Sequence, residues 1–149
     1  ANVIDGPVQL GMKFQTNAAG WITGFSFYKG TSNTGTHTAN LWTASGTLLG
    51  SATFTNETAS GWQYVELAQQ VAVTAGTTYV VSYNANSAYS ATSNYFSASR
   101  ESQNLTALSS AVSGGNGVYS YGTGALFPTS TYNSTNYYVD VTFRPQLAA

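Results

Sequence analysis

Residues 74–85, TAGTTYVVSYNA, contain one turn and one strand and leave no room for a helix. Ala75-Gly76 supplies the turn, because glycine adopts the positive φ that other residues resist. Behind it, Tyr79, Val81 and Tyr83 fall on one face of a period-two pattern of β-branched and aromatic residues. The same pattern extends in both directions. VQLGMKFQ (8–15) sets Val8, Leu10, Met12 and Phe14 against Gln9, Gly11, Lys13 and Gln15. GWITGFSFYKG (20–30) puts Phe25 and Phe27 on one face and Ser26 and Tyr28 on the other, with Gly24 placed for a bulge. TANLWTA (38–44) and LLGSATFT (48–55) flank a hairpin turn at Ser45-Gly46. GWQYVELAQQVAV (61–73) leads into the quoted stretch. NYYVDVTFRP (136–145) directs Tyr137, Val139, Val141 and Phe143 inward and Tyr138, Asp140, Thr142 and Arg144 outward.

About eight such strands at roughly 8–12-residue spacing predict an all-β antiparallel sandwich. We expect a jelly-roll resembling a carbohydrate-binding module, with long loops, as one domain over 1–149. Its core is expected to use Leu10, Phe14, Phe25, Phe27, Leu41, Phe54, Val81, Val141 and Phe143. Residues 84–135 differ: they are rich in Ser, Tyr, Asn and Gly, and only NGVYSYG (116–122) reads clearly as a strand. Long connections of this kind are usually functional or mobile.

Composition narrows the function. Only 6% of residues are charged, against roughly a quarter in an ordinary soluble domain. Thr, Ser and Asn make up roughly a third, so hydroxyls and amides wet the surface. A formal charge of −1 with four basic residues leaves little to neutralise phosphates, which argues against nucleic acid. The apolar runs are far too short for membrane insertion. The chain contains no cysteine, which removes thiolate metal sites, cysteine nucleophiles and disulfide staples. No signal peptide is visible, as expected of a mature fragment or a module excised from a larger secreted protein.

Catalytic chemistry finds little support. The acidic residues are Asp5, Glu57, Glu66, Glu101 and Asp140, and none sits in a motif for paired-carboxylate hydrolysis. Glu57 lies in the turn NETASGW, where a solvated or capping role is ordinary. His37 is the one histidine, with no nucleophile elbow to accompany it. The expectation is therefore no enzyme, no catalytic residues and no cofactor. Structural calcium, on carbonyls with Asp5 or Asp140, is a minor alternative.

FYKGTSNTGTHTANLW (27–42) gathers aromatic and hydrogen-bonding residues around one polar loop. A sugar ring presents an apolar C–H face and a rim of hydroxyls, which a flat aromatic and a few polar groups complement. Aromatic residues outside the inward parity are the natural candidates. The expected ligand-binding set is Tyr28, Lys29, His37, Trp42, Tyr89, Tyr119 and Tyr121, with Tyr95 and Tyr132 also in polar loops. For any one tyrosine, packing over the sheet ends is an equally good explanation.

LGMKFQTNAAGWITGFSFYKG, GTHTANLWTASGTLLGSATF, ETASGWQYVEL, TAGTTYVVSY, NGVYSYG and FPTSTYNSTNYYVDVTF, in this order, closely resemble a bacterial exported family called domain of unknown function 4082. The resemblance runs from about Val8 to Phe143. It implies a module repeated in large secreted or cell-surface proteins, beside glycoside hydrolases and other sandwich domains. The implied role is a non-catalytic accessory domain that binds an oligo- or polysaccharide and adjoins other domains of its polypeptide. A structural spacer or adhesion domain is the alternative. Gln9 stands where the family often has an acidic residue, which removes a charge from that site.

Overall fold

The computed structural model describes residues 2–4, 6–86, 88–102, 105–109, 115–123, 126–132 and 134–145. The strands are β1 (Asn2–Ile4), β2 (Val8–Thr16), β3 (Gly20–Lys29), β4 (Thr38–Thr43), β5 (Leu48–Thr53), β6 (Gly61–Val73) and β7 (Tyr79–Ala85). Then follow β8 (Ala88–Ser90), β9 (Arg100–Ser102), β10 (Leu105–Ala107), β11 (Val118–Tyr121), β12 (Ser130–Thr131) and β13 (Val139–Pro145). One short 3₁₀ turn, Tyr95–Ser97, interrupts them. All pairings are antiparallel.

The large sheet runs β12-β11-β2-β7-β4-β5, with β10 and β9 continuing from the far end of β2. The small sheet runs β13-β3-β6. A separate ribbon joins β1 to β8. Leu10, Phe14, Leu41, Val81 and Tyr83 from the large sheet meet Ile22, Phe25, Phe27, Val139 and Val141 from the small one in a single core. The fold is an all-β sandwich. Fully burying an apolar side chain of this size stabilises the domain by roughly 1.5–3 kcal/mol, so the inward parity of β2, β3, β7 and β13 fixes which faces meet.

Two departures from simple alternation matter. First, β7 is buried on both faces from Tyr79 to Tyr83, because a second cluster of Trp42, Val80, Val118 and Phe127 covers its back. Second, the register of β13 slips between Thr142 and Phe143, and Phe143, expected in the core, is only half-buried. The bulge expected near Gly24 is present as a register shift between Ile22 and Gly24.

β2 has two short partners on one edge. β11 pairs with Val8–Gly11 and β10 with Phe14–Thr16. Asn116 fills the gap between them. Its Oδ1 accepts from Lys13 N at 2.7 Å, and its Nδ2 donates to Lys13 O at 2.9 Å and Leu108 O at 2.7 Å. A buried amide thus takes the place of a strand and leaves the ladder of β2 satisfied. Asn116→Ala strips partners from Lys13 and Leu108, each costing about 1–3 kcal/mol. At roughly 2–4 °C per kcal/mol for a domain of this size, thermal unfolding of the variant should shift down by about 4–24 °C.

Candidate functional site

The outward face of the small sheet carries an aromatic row. β3 sets Tyr28 opposite Trp62 of β6, and Tyr28 N donates to Tyr138 O at 2.9 Å just ahead of β13. Tyr28 and Trp62 stand edge to face with centroids 5.8 Å apart, and Tyr138 lies 6.3 Å from Tyr28. One step along, Tyr64 pairs with Ser26, and Ser26 with Asp140. The Tyr64 ring lies over Gly24, where an added Cβ would come within 2.9 Å of its hydroxyl. The Val65 carbonyl oxygen would lie closer still, at 2.5 Å, so glycine here serves the close approach of β6 as well as the ring.

These rings are open to water: Trp62 is 58% exposed, Tyr64 52% and Tyr28 39%. Two clefts flank the row and share Trp62 and Tyr138 as a common wall. The wider, about 640 Å³, is bounded by Tyr28, Lys29, Thr31, Ser60 and Ser90. The narrower, about 270 Å³, runs between Met12 and Phe14 of β2 and Val139 of β13, beneath Tyr95, Phe96 and Leu105. Arg100, Glu101, Asn136 and Asp140 give it a polar rim. The Arg100 guanidinium sits 4.5 Å from the Tyr95 ring centroid, and its Nε donates to Tyr95 O at 3.2 Å. A cation held on a ring face in this way is positioned as well as paired.

Tyr138, between the clefts, has φ of 59°. A bulky side chain in the left-handed region is strained, and such residues concentrate at binding and catalytic sites. Its N–H donates to Asn136 Oδ1 at 2.8 Å, and its hydroxyl is bonded to that of Thr92. The ring is therefore fixed at both ends.

The seven expected residues divide. Tyr28 joins the row. Lys29 borders the wider cleft, but its Nζ is 3.0 Å from Glu57 Oε1 in a shielded ion pair. His37 is wholly buried, with Nδ1 2.9 Å from both Glu57 oxygens and Nε2 2.7 Å from Asn33 Oδ1. Glu57 is thus not the solvated turn residue expected from NETASGW. Trp42 packs on the back of the large sheet against Phe127 and donates Nε1 to Ser82 Oγ at 2.8 Å. Tyr89 is buried edge-on to Tyr137. Tyr119 and Tyr121 lie together on β11, the first half-buried and the second 60% exposed. Tyr95 packs against the core, and Tyr132 is 61% exposed. The polar loop residues went inside because partners for their hydrogen bonds were available there.

Trp62, Tyr64 and the clefts were not singled out in the sequence. Their signal was parity within GWQYVELAQQVAV, which acquires meaning only once β6 is known to lie beside β3. Asp5, one of the two carboxylates considered for calcium, lies outside the described residues. Among the described residues no group of three or more His, Cys, Asp or Glu could hold a metal ion, and no helix is long and apolar enough to cross a membrane.

A family model described as a domain of unknown function (DUF4082) matches residues 2–139. The chain belongs to this family. No curated protein matches it. In this DUF4082 domain the match spans β1 through the first residue of β13, so the large sheet, β3 and β6 of the small sheet, and the aromatic row lie within it.

Burial pushes the Asp140 carboxyl above the usual carboxylate range, against a smaller lowering from the Val141 N–H that Oδ1 accepts. The folded state therefore holds this proton more tightly than the unfolded chain does. The penalty for ionising Asp140 is absent below the ordinary carboxylate range, grows as pH rises from there to the raised value, and is constant above it. Asp140→Asn keeps the acceptor without the charge. Melting curves should show the variant more stable than wild type at neutral pH, with the difference fading near pH ~4, around the ordinary aspartate value.

Proposed function

We propose that this domain is a non-catalytic binding module that holds a neutral oligo- or polysaccharide across the aromatic row of the small sheet. The observation that carries this reading is the neighbouring exposure of Trp62, Tyr64 and Tyr28 on one flat face, flanked by clefts with polar rims. Such rings cover the apolar faces of sugars, while Asn136, Thr31, Ser60 and Ser90 offer groups for the hydroxyls. The low charge of the chain suits a neutral ligand. We assign the module to a secreted or cell-surface bacterial protein, where it would serve a carbohydrate-active or adhesive neighbour on the same polypeptide.

A spacer or adhesion role is the second reading. It is favoured by the burial of His37, Trp42 and Tyr89, which turns much of the expected binding set into scaffolding.

A glycan array followed by titration separates the two. Trp62→Ala and Tyr28→Ala should each weaken binding of a hit by roughly 1–3 kcal/mol, as aromatic anchors do, or about 5- to 150-fold in Kd. Both variants should melt close to wild type, since the Trp62 and Tyr28 side chains are exposed. Tyr121→Ala, on the other sheet, should bind normally, and added salt should change little. An array with no hit for wild type favours the spacer.

A further inference from the structure

Between the two sheets, Lys29, Glu57 and His37 form a shielded cluster that binding at the aromatic row does not use. Lys29 Nζ and Glu57 Oε1 are 3.0 Å apart, with side chains 10% and 11% exposed. His37 lies on the other side of the same carboxylate, its Nδ1 2.9 Å from Oε1 and from Oε2. Its ring packs 4.8 Å from Phe27, which in turn packs 4.8 Å from Phe54. An amine, a carboxyl carbon and a proton-transfer group are thus held together in an apolar pocket.

We propose that Lys29 and Glu57 condense into an intramolecular amide cross-link, with His37 as the catalytic acid–base residue. The step balances as an ammonium and a carboxylate giving one amide and one water. A proton passes from Lys29 Nζ to Glu57 Oε1 along the existing contact, leaving a neutral amine and a neutral carboxyl group. The Nζ lone pair attacks Cδ, the N–Cδ bond forms, and the carbonyl electron pair moves onto Oε2, where His37 Nδ1–H stabilises it. On collapse the carbonyl re-forms at Oε2 and the Cδ–Oε1 bond breaks. His37 gives its proton to the departing Oε1 and recovers one from the nitrogen, so the imidazole ends as it began. Because Nδ1 reaches both oxygens, one group serves both halves of the reaction.

Three physical considerations favour condensation over a lasting ion pair. Well-oriented intramolecular pairs behave as if at about 10⁵–10⁸ M, which offsets the unfavourable loss of water into water. Burying an ion pair is costly, and the amide removes both charges while keeping the contact. The fully buried His37 Nδ1, 2.9 Å from both carboxylate oxygens, places a proton donor beside the oxygen that must leave. The bond would join the end of β3 in the small sheet to the segment after β5 in the large sheet. In a chain without cysteine it would act as its staple.

The intact mass of the purified chain tests this. Wild type should weigh one water less than its sequence, and trypsin should fail to cut after Lys29, leaving that peptide joined to the one holding Glu57. Lys29→Arg keeps the ion pair but cannot form the amide, and should have the full sequence mass. In His37→Ala the cross-linked fraction should accumulate about 10²–10⁴-fold more slowly. Full mass for wild type after prolonged incubation overturns the proposal, whatever the variants do. Loss of ammonia instead of water, or loss of water mapped to other residues, overturns it equally.

Discussion

Phe27 of the small sheet lies stacked on Tyr83 of the large one, with centroids 4.5 Å apart and planes 23° from parallel, and this contact imposes obligations that propagate outward. The stack buries the Tyr83 hydroxyl completely, and burial raises its pKa well above the usual phenol range. A buried hydroxyl needs a partner, and Asn33 Nδ2 donates to it at 3.2 Å. The other end of that amide must then be satisfied by His37, His37 by Glu57, and Glu57 by Lys29. The loop between β3 and β4 and the segment after β5 are thereby ordered by hydrogen bonds with one origin in the core. A partly satisfied network of this kind is worse than an apolar one, so its members stand or fall together.

The same economy decides which faces remain open. The back of the large sheet is closed by Trp42, Val118 and Phe127, with Pro128 seated in the space above Gly11. The outward face of the small sheet has no such cover among the described residues. Tyr64 rests on the backbone at Gly24, and Tyr28 packs against Trp62 and Tyr138, so the rings are held in place by contacts made without ligand. Pre-ordered aromatics lose little freedom on binding, which is the property a weak, repeated sugar contact requires.

Sandwich architecture was legible from alternation because a strand with one face in the core repeats its apolar residues with a period of two; the strands quoted at β2, β3, β6, β7 and β13 match those observed. What was hidden depends on pairings between distant segments. β8, β9, β10 and β12 are two or three residues long and leave no periodic trace in residues 84–135. His37 looked like a surface residue because its neighbours Thr36 and Thr38 are polar, and Trp42 because it closes the same polar stretch ahead of Thr43. Their real environments, Glu57 and Phe127, lie 20 and 85 positions away. Tyr28 was recognisable by parity alone. Trp62 became its neighbour only through the register of β6.

The central claim, that ligand meets the small sheet through its aromatic row, is tested most directly by the three tryptophan indole N–H signals in a ¹H–¹⁵N spectrum. As a glycan hit is added, the Trp62 signal should move progressively, while Trp42, hydrogen-bonded to Ser82 behind the large sheet, stays fixed. A titration in which ligand binds but Trp62 is unmoved, or in which Trp42 shifts instead, would contradict the account.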